Sequence, residues 1–409
     1  MKIGLLAYHS AINFGATLQL LSTYSYLKNH GHEPVVINWV APDLETSYQA
    51  IASTSQRQGH IALRQTIWKE TALCHTDEDV ADAIRQEGIE AVIIGSDAVC
   101  QHHTKRERTV FPCRKIIAVE PATSDRLFPN PFWATWNTLL DRPIPVCLLS
   151  ASSQDSQYRY FSKSLCRKMT DCIKQYKYAS VRDIWTQEMF VHITKGTVIP
   201  PVTPDPVFAF NINAASLIPN KEDILHRFSL PERYMLISFI NDSIVSQSWL
   251  NTFQLLAESE GFCCVKLPFS QSEGFGHLTK EIPLPLSPVD WFALIKYSAG
   301  YIGNNMHPIV SAIHNGVPFF SFDNYGLKRL NGLVVSDRSS KIKHILHSAG
   351  LSDFRVSCIS KTFKAPTPEF VYERVRRFPS NKAKAFADEY YNKYCDMMDR
   401  ILKSMTTVR

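Results

Sequence analysis

Gly303-Asn304-Asn305-Met306-His307-Pro308 runs on into Ile309-Val310-Ser311-Ala312-Ile313-His314-Asn315-Gly316-Val317-Pro318. Read in order, this is the end of a buried strand, a polar turn and a helix, with the next strand at Phe319 to Phe322. Pro308 suits the first helical position, whose N–H has no helical partner in any case. Gly316 suits the left-handed residue after the last turn, and Pro318 blocks continuation. His307 is therefore expected at the mouth of a strand-to-helix turn, where unpaired backbone N–H groups favour anions. Open α/β sheets bind ligands at such strand ends. A lone histidine there caps a helix as readily as it serves a reaction, so Asn304, Asn305 and the other motifs of the chain decide between the two.

The same strand-to-polar-loop grammar recurs upstream. Residues 3–8 are a continuous apolar run, as in a strand buried on both faces. The loop His9 to Gly15 follows, then a helix carrying Leu18, Leu21, Tyr24 and Leu27, then Gly31 and a strand at Val35 to Trp39. Such a βαβ unit implies parallel strands. Ala91 to Ile94 leads into Gly95-Ser96-Asp97, Val146 to Leu149 into Ser150-Ala151-Ser152-Ser153, and Tyr178 to Val181 into Arg182-Asp183.

Proline density at Pro200 to Pro206 marks a linker. Beyond it come a strand at Tyr234 to Ile240, a helix at Ser246 to Glu260 and a strand at Phe262 to Leu267. Ser287-Pro288-Val289-Asp290 is a strong helix start, and Gly300 is the expected end of that helix. The tail from Pro366 to about Lys403 looks amphipathic and helical. The expected fold is α/β: two doubly wound Rossmann-like domains facing a cleft, at 1–205 and 206–365, with a helical tail at 366–409. An irregular insertion is expected at about 101–136, its charge run Lys105-Arg106-Glu107-Arg108 a solvated face, with Phe132, Trp133 and Trp136 following.

A chain of 409 residues suits two or three domains, and 45% hydrophobic with 20% charged residues is a globular composition. A net charge of +6 is too balanced for a dedicated nucleic-acid binder, yet suits an anionic small substrate or a lipid-phosphate surface. The ten cysteines form no CxxC pair and no zinc-like spacing, so buried free thiols of a reducing compartment are expected. The apolar core of the first residues is too short for a signal peptide, and no stretch approaches a membrane span. A cytoplasmic protein is expected, with peripheral contact to a membrane surface left open, and its oligomeric state is not legible.

Several chemistries are excluded or narrowed by motif. The His9 to Gly15 loop lacks G-x-G-x-x-G, so no dinucleotide fingerprint is present; Asn13 and Gly15 instead offer a modest anion or hydroxyl site. Arg182, placed directly after a buried strand, can grip a carboxylate or phosphate through two parallel hydrogen bonds, or pair with Asp183 or another acid. Asp97 can accept a hydroxyl proton, or cap a helix. There is no nucleophile elbow, Walker A loop or kinase motif, and the adjacent His102-His103 cannot share one face of a regular element, so no metal is assigned.

Asn13-x-Gly15-x-x-x-Gln19, Ile94-Gly95-Ser96-Asp97, Ser180-Val181-Arg182-Asp183, Asp205-Pro206 and Asn304-x-x-His307 occur together in this order. From Lys2 to about Phe322 the chain resembles the polysaccharide pyruvyl transferase family. The resemblance implies a fold similar to B-type glycosyltransferases, phosphoenolpyruvate as donor and no cofactor. It also implies a sugar diol as acceptor, whose lipid linkage stays open, and a cyclic ketal product of surface-polysaccharide synthesis. His307 would be the catalytic histidine, acting as general acid, with Asp97 or His9 taking the hydroxyl proton. Arg182, Asn304, Asn305, Met306 and Lys266 would face the donor. His9, Asn13, Gly15, Gly95, Ser96 and Ser152 would face the acceptor. Several members carry arginine where this chain has Asn305, and Gln and Trp where it has Ala98 and Cys100. A helix amino terminus disfavours imidazolium and a bound trianion favours it, so His307 is expected to charge mainly when donor is present. The alternatives are a nucleotide-sugar glycosyltransferase on the same plan and a non-catalytic sugar-binding module.

Overall fold

Five short apolar strands pair in parallel to make the first sheet, in the order β2-β1-β3-β4-β5. They are β1 (Lys2–Leu6), β2 (Glu33–Val36), β3 (Ala91–Asp97), β4 (Val146–Ala151) and β5 (Tyr176–Val181). Ile3, Leu5, Ile93 and Leu148 have no exposed surface, because helices cover both faces. A second, all-parallel sheet has the order β8-β7-β6-β9-β10-β11. Its strands are β6 (Tyr234–Ser238), β7 (Cys263–Lys266), β8 (Lys280–Glu281), β9 (Gly300–Gly303), β10 (Phe319–Asp323) and β11 (Arg355–Ser357). The computed structural model describes residues 1–102, 108–110, 116–118, 123–328, 335–360 and 362–406.

Both sheets reverse direction of winding once, the first between β1 and β3 and the second between β6 and β9. At such a switch point neighbouring connections leave on opposite faces, opening a crevice beyond the carboxyl ends of the strands. The helices that matter for the site start in these crevices. They are α1 (Phe14–Asn29) after β1, α2 (Ile184–Thr194) after β5, and α3 (Pro288–Tyr297) ahead of β9. Beyond them lie α4 (Met306–Asn315) after β9 and α5 (Lys341–Ser348) after β10.

Several boundaries differ from the sequence expectation for identifiable reasons. Helix α4 begins at Met306 with Asn305 as its cap residue, so Pro308 is the third helical position and not the first. Proline costs nothing there either, since the first four helical N–H groups lack intrahelical acceptors. Gly316 does close α4 with φ 64°. Helix α3 stops at Tyr297, and Gly300 starts β9 instead of ending the helix. Strand β3 continues through Gly95-Ser96-Asp97, expected as a turn, and Asp97 pairs with Ala151 of β4. Gly95 takes φ 118°, and a Cβ there would sit 2.3 Å from the Leu149 carbonyl oxygen, so only glycine lets the two strands approach.

The side chains of the charge run Lys105 to Arg108 lie outside the described residues. Past it, Phe132, Trp133 and Trp136 are buried in two short turns, Pro131–Trp133 and Thr135–Leu139. The tail forms α6 (Pro368–Arg376) and the long α7 (Ser380–Thr406). Helix α7 buries Tyr394, Met397, Met398, Ile401 and Met405 at helical spacing. It lies back on the first sheet, where Ser404 Oγ is 3.2 Å from Cys147 Sγ, while also packing on α4. The described cysteines are all free, and no described helix is long and apolar enough to cross a membrane.

Candidate functional site

The two switch points open onto one cavity of about 380 Å³, lined by Asn13, Phe14 and Gly15 from the first half and Ser238, Asn304, Asn305 and His307 from the second. Asn13 stands at the start of α1 because its Oδ1 accepts the Ala16 N–H at 3.2 Å, an ordinary helix cap. His307 is the second residue of α4 and is 7% exposed. Its ring lies flush against α1: a Cβ on Gly15 would be 2.0 Å from Nδ1 and 2.1 Å from Cγ. The glycine of the Asn13-x-Gly15 motif is thus required by contact with a histidine nearly three hundred residues away. His307 Nε2 and Asn304 Oδ1 are buried without hydrogen-bond partners. Unpaired buried polar atoms cost free energy, so two of them beside one cavity make it the candidate site.

A buried charge cluster acts on this ring. Arg182 donates from Nη1 to Asp205 Oδ2 at 2.7 Å and from Nη2 to Asp97 Oδ1 at 2.9 Å. Asp205 also accepts from Gln19 Nε2 at 2.6 Å and from the Val207 N–H at 2.9 Å. Lys341 Nζ approaches Asp97 Oδ1 at 3.5 Å, reaching from the second half to the first. Burial raises the Asp97 carboxyl, but Lys341, Arg182 and His307 outweigh it and hold Asp97 well below the usual carboxylate range. His307 is lowered chiefly by burial, against the pull of Asp205 and Asp97. Lys341 is lowered too, by burial and by Arg182, against the pull of Asp97, Asp183 and Asp205.

The fold separates the candidates that the sequence suggested. Asn13, Gly15, Asn304, Asn305 and His307 share the cavity wall, and Asp97 and Arg182 form the charge cluster. Arg182 does not present a free fork to an anion, because each terminal nitrogen already holds a carboxylate; its partners are Asp205 and Asp97, while Asp183 caps α2 by accepting the Thr186 N–H at 2.8 Å. His9 is not on the described cavity wall: Nδ1 is 3.1 Å from the Ala7 carbonyl oxygen and Nε2 2.8 Å from Asn38 Oδ1, which occupies both ring nitrogens. Lys266 is also elsewhere, paired at 2.8 Å with Glu281 across the β7–β8 register and donating to the Gly276 carbonyl. Ser96 donates to the Ser150 carbonyl at 2.7 Å and Ser152 to Asp183 at 2.9 Å, so both hydroxyls serve the strand ends. Met306 turns its side chain into the apolar core. Lys341 and the carboxylate of Asp205 were missed as site residues; Asp205 had a visible motif, and Lys341 had none.

Residues 13–325 match the sequence model of one family, described as polysaccharide pyruvyl transferase. Among curated proteins none matches the chain. Among solved structures, it is similar to a UDP-GlcNAc 2-epimerase from Neisseria meningitidis bound to UDP-GlcNAc, at 11% identity over 98% of this chain and 100% of that one, with a TM-score of 0.55. It is similar also to a ugt transferase from Siraitia grosvenorii in complex with UDP, at 10% identity over 99% and 100% of the two chains, with a TM-score of 0.50. At these identities the likeness concerns the fold alone: two facing α/β domains on the plan of B-type glycosyltransferases.

Proposed function

The chain belongs to the polysaccharide pyruvyl transferase family, and on that premise we propose that it moves the pyruvyl group of phosphoenolpyruvate onto two hydroxyls of a sugar in a surface-polysaccharide precursor. The product is a cyclic ketal, and phosphate is released. The observation that carries this reading is the His307 ring, seated on Gly15 in the cavity between the sheets with Nε2 unpartnered.

The chemistry needs a proton on the methylene carbon of the enol phosphate, which leaves a cation at the adjacent carbon. A sugar hydroxyl attacks that cation and gives up its proton; phosphate then departs and the second hydroxyl closes the ring. One imidazole can serve both of the first two steps, donating to carbon as imidazolium and recovering a proton from the attacking hydroxyl. The second hydroxyl proton leaves with the phosphate, so protons balance without another base. Asp97 suits the part of counter-charge better than that of proton acceptor, since its neighbours hold its proton affinity down.

Burial disfavours the charged form of His307 in the free protein, where Arg182 and Lys341 face Asp97 and Asp205 around it. A bound trianion tips that balance, so donor binding and charging of His307 go together. Arg182 holds Asp97 and Asp205 in place and acts on the donor through them. Calorimetric titration with phosphoenolpyruvate and, separately, a UDP-sugar tests the reading: phosphoenolpyruvate binds, and a preference for the UDP-sugar would assign the chain to nucleotide-sugar chemistry instead.

A further inference from the structure

Lys341 is the cation that the carboxylates of the cluster hold least closely. Arg182 gives one terminal nitrogen to Asp205 and the other to Asp97, both at hydrogen-bond distance. Lys341 has Asp97 Oδ1 at 3.5 Å, too far for a direct hydrogen bond by an ammonium that carries three donors. Yet its placement is fixed. It is the first residue of α5, whose cap residue Ser340 accepts the Lys343 N–H at 3.1 Å and donates to the buried Asp323 at the end of β10.

Accessibility separates the two cations. The side chains of Arg182 and Asp205 are 1% and 0% exposed, whereas those of Lys341 and Asp97 are 7% and 14% exposed. Of the two cations, Lys341 is therefore the one that keeps some surface open to an approaching anion. Burial and the nearby Arg182 disfavour the charged form of Lys341, against the pull of Asp97, Asp183 and Asp205, so an anionic oxygen bonded directly to it would favour that form.

We propose that Lys341 receives the phosphate of the phosphoenolpyruvate donor, replacing its distant contact with Asp97 by direct N–H···O bonds. This rests on the donor reading given above. Calorimetric titration of the full chain with phosphoenolpyruvate and with inorganic phosphate tests it in wild type, Lys341→Met and Lys341→Arg. A charge-assisted hydrogen bond of ordinary strength predicts that Lys341→Met weakens both ligands by roughly 10- to 100-fold, with Lys341→Arg retaining most of the affinity. Wild-type affinity in Lys341→Met overturns the inference and leaves the donor reading standing. A loss for phosphoenolpyruvate without one for phosphate overturns the phosphate assignment. A wild-type protein that binds neither ligand overturns the donor reading itself. Should Lys341→Met not fold, the double variant Lys341→Met, Asp97→Asn removes the pair together and leaves no uncompensated charge. It should bind phosphoenolpyruvate at least about tenfold more weakly than wild type; equal binding contradicts the inference.

Discussion

The imidazole of His307 lies so close against Gly15 that a Cβ there would come within 2.0 Å of Nδ1 and 2.4 Å of Cε1. The contact joins the first helix of one sheet to the first turn of a helix on the other, and it sets where the ring points.

Gly15→Ala is the substitution that tests this placement. The added carbon must push the ring aside, and misplacement of a reacting group by about 1 Å costs on the order of 100-fold in rate. We expect phosphate release from phosphoenolpyruvate to fall by roughly that factor, with the thermal unfolding midpoint little changed. Activity within a few-fold of wild type would show that the ring has freedom the contact denies it.

Arg182→Met should act first on stability and not on donor affinity. It leaves Asp97 and Asp205 without their shared cation in a buried setting, a defect that costs about 3–5 kcal/mol. Urea unfolding measures this, and adding Asp205→Asn should recover part of the loss. A fully stable Arg182→Met protein with weakened phosphoenolpyruvate binding would return Arg182 to the role of a direct donor ligand.

Lys266→Gln should leave donor affinity unchanged, because its ammonium is held by Glu281 and Gly276 away from the described cavity wall. Calorimetric titration checks it, and a tenfold loss would place Lys266 in the site after all.

Stability should fall on the acid side of neutrality. Burial holds His60 down to about 4 and His314 to about 3, below the 6.5 of an unperturbed imidazole. The unfolded chain therefore takes up protons that the folded chain refuses; the stabilisation is complete above about 6.5 and is lost as pH falls towards those values. Each such histidine contributes up to about 1.4 kcal/mol per pH unit within its window. Asp323, raised by burial, opposes them only at the acid end. Urea midpoints measured between pH 7 and 4.5 should decline. His314→Gln, which can still accept the Asn211 N–H, should flatten the decline; an unaltered slope would exclude His314 from it.

What the sequence revealed was local. The apolar runs of β1, β3 and β9, the caps at Asn13 and Ser287, and the left-handed Gly316 are all set by residues within one or two turns. What it hid was pairing across the fold. Arg182 meets Asp97 and Asp205 at separations of 85 and 23 residues, so the sequence left open whether it grips a ligand or an acid and could not name its two partners. Lys266 alternates into a strand whose neighbour supplies Glu281, a partner visible only once β7 and β8 are in register. Gly95-Ser96-Asp97 has the composition of a turn, yet pairing with β4 keeps it in the sheet. Lys341 sits in an ordinary amphipathic helix start, and only the third dimension brings it to Asp97.

The central claim, that His307 supplies the proton, is tested most directly by comparing His307→Gln with wild type for both phosphoenolpyruvate affinity and pyruvyl transfer, the latter followed by phosphate release and the mass of the acceptor. Loss of a general acid predicts a fall in turnover of roughly 100- to 10,000-fold with donor affinity largely kept. Turnover within a few-fold of wild type would contradict it.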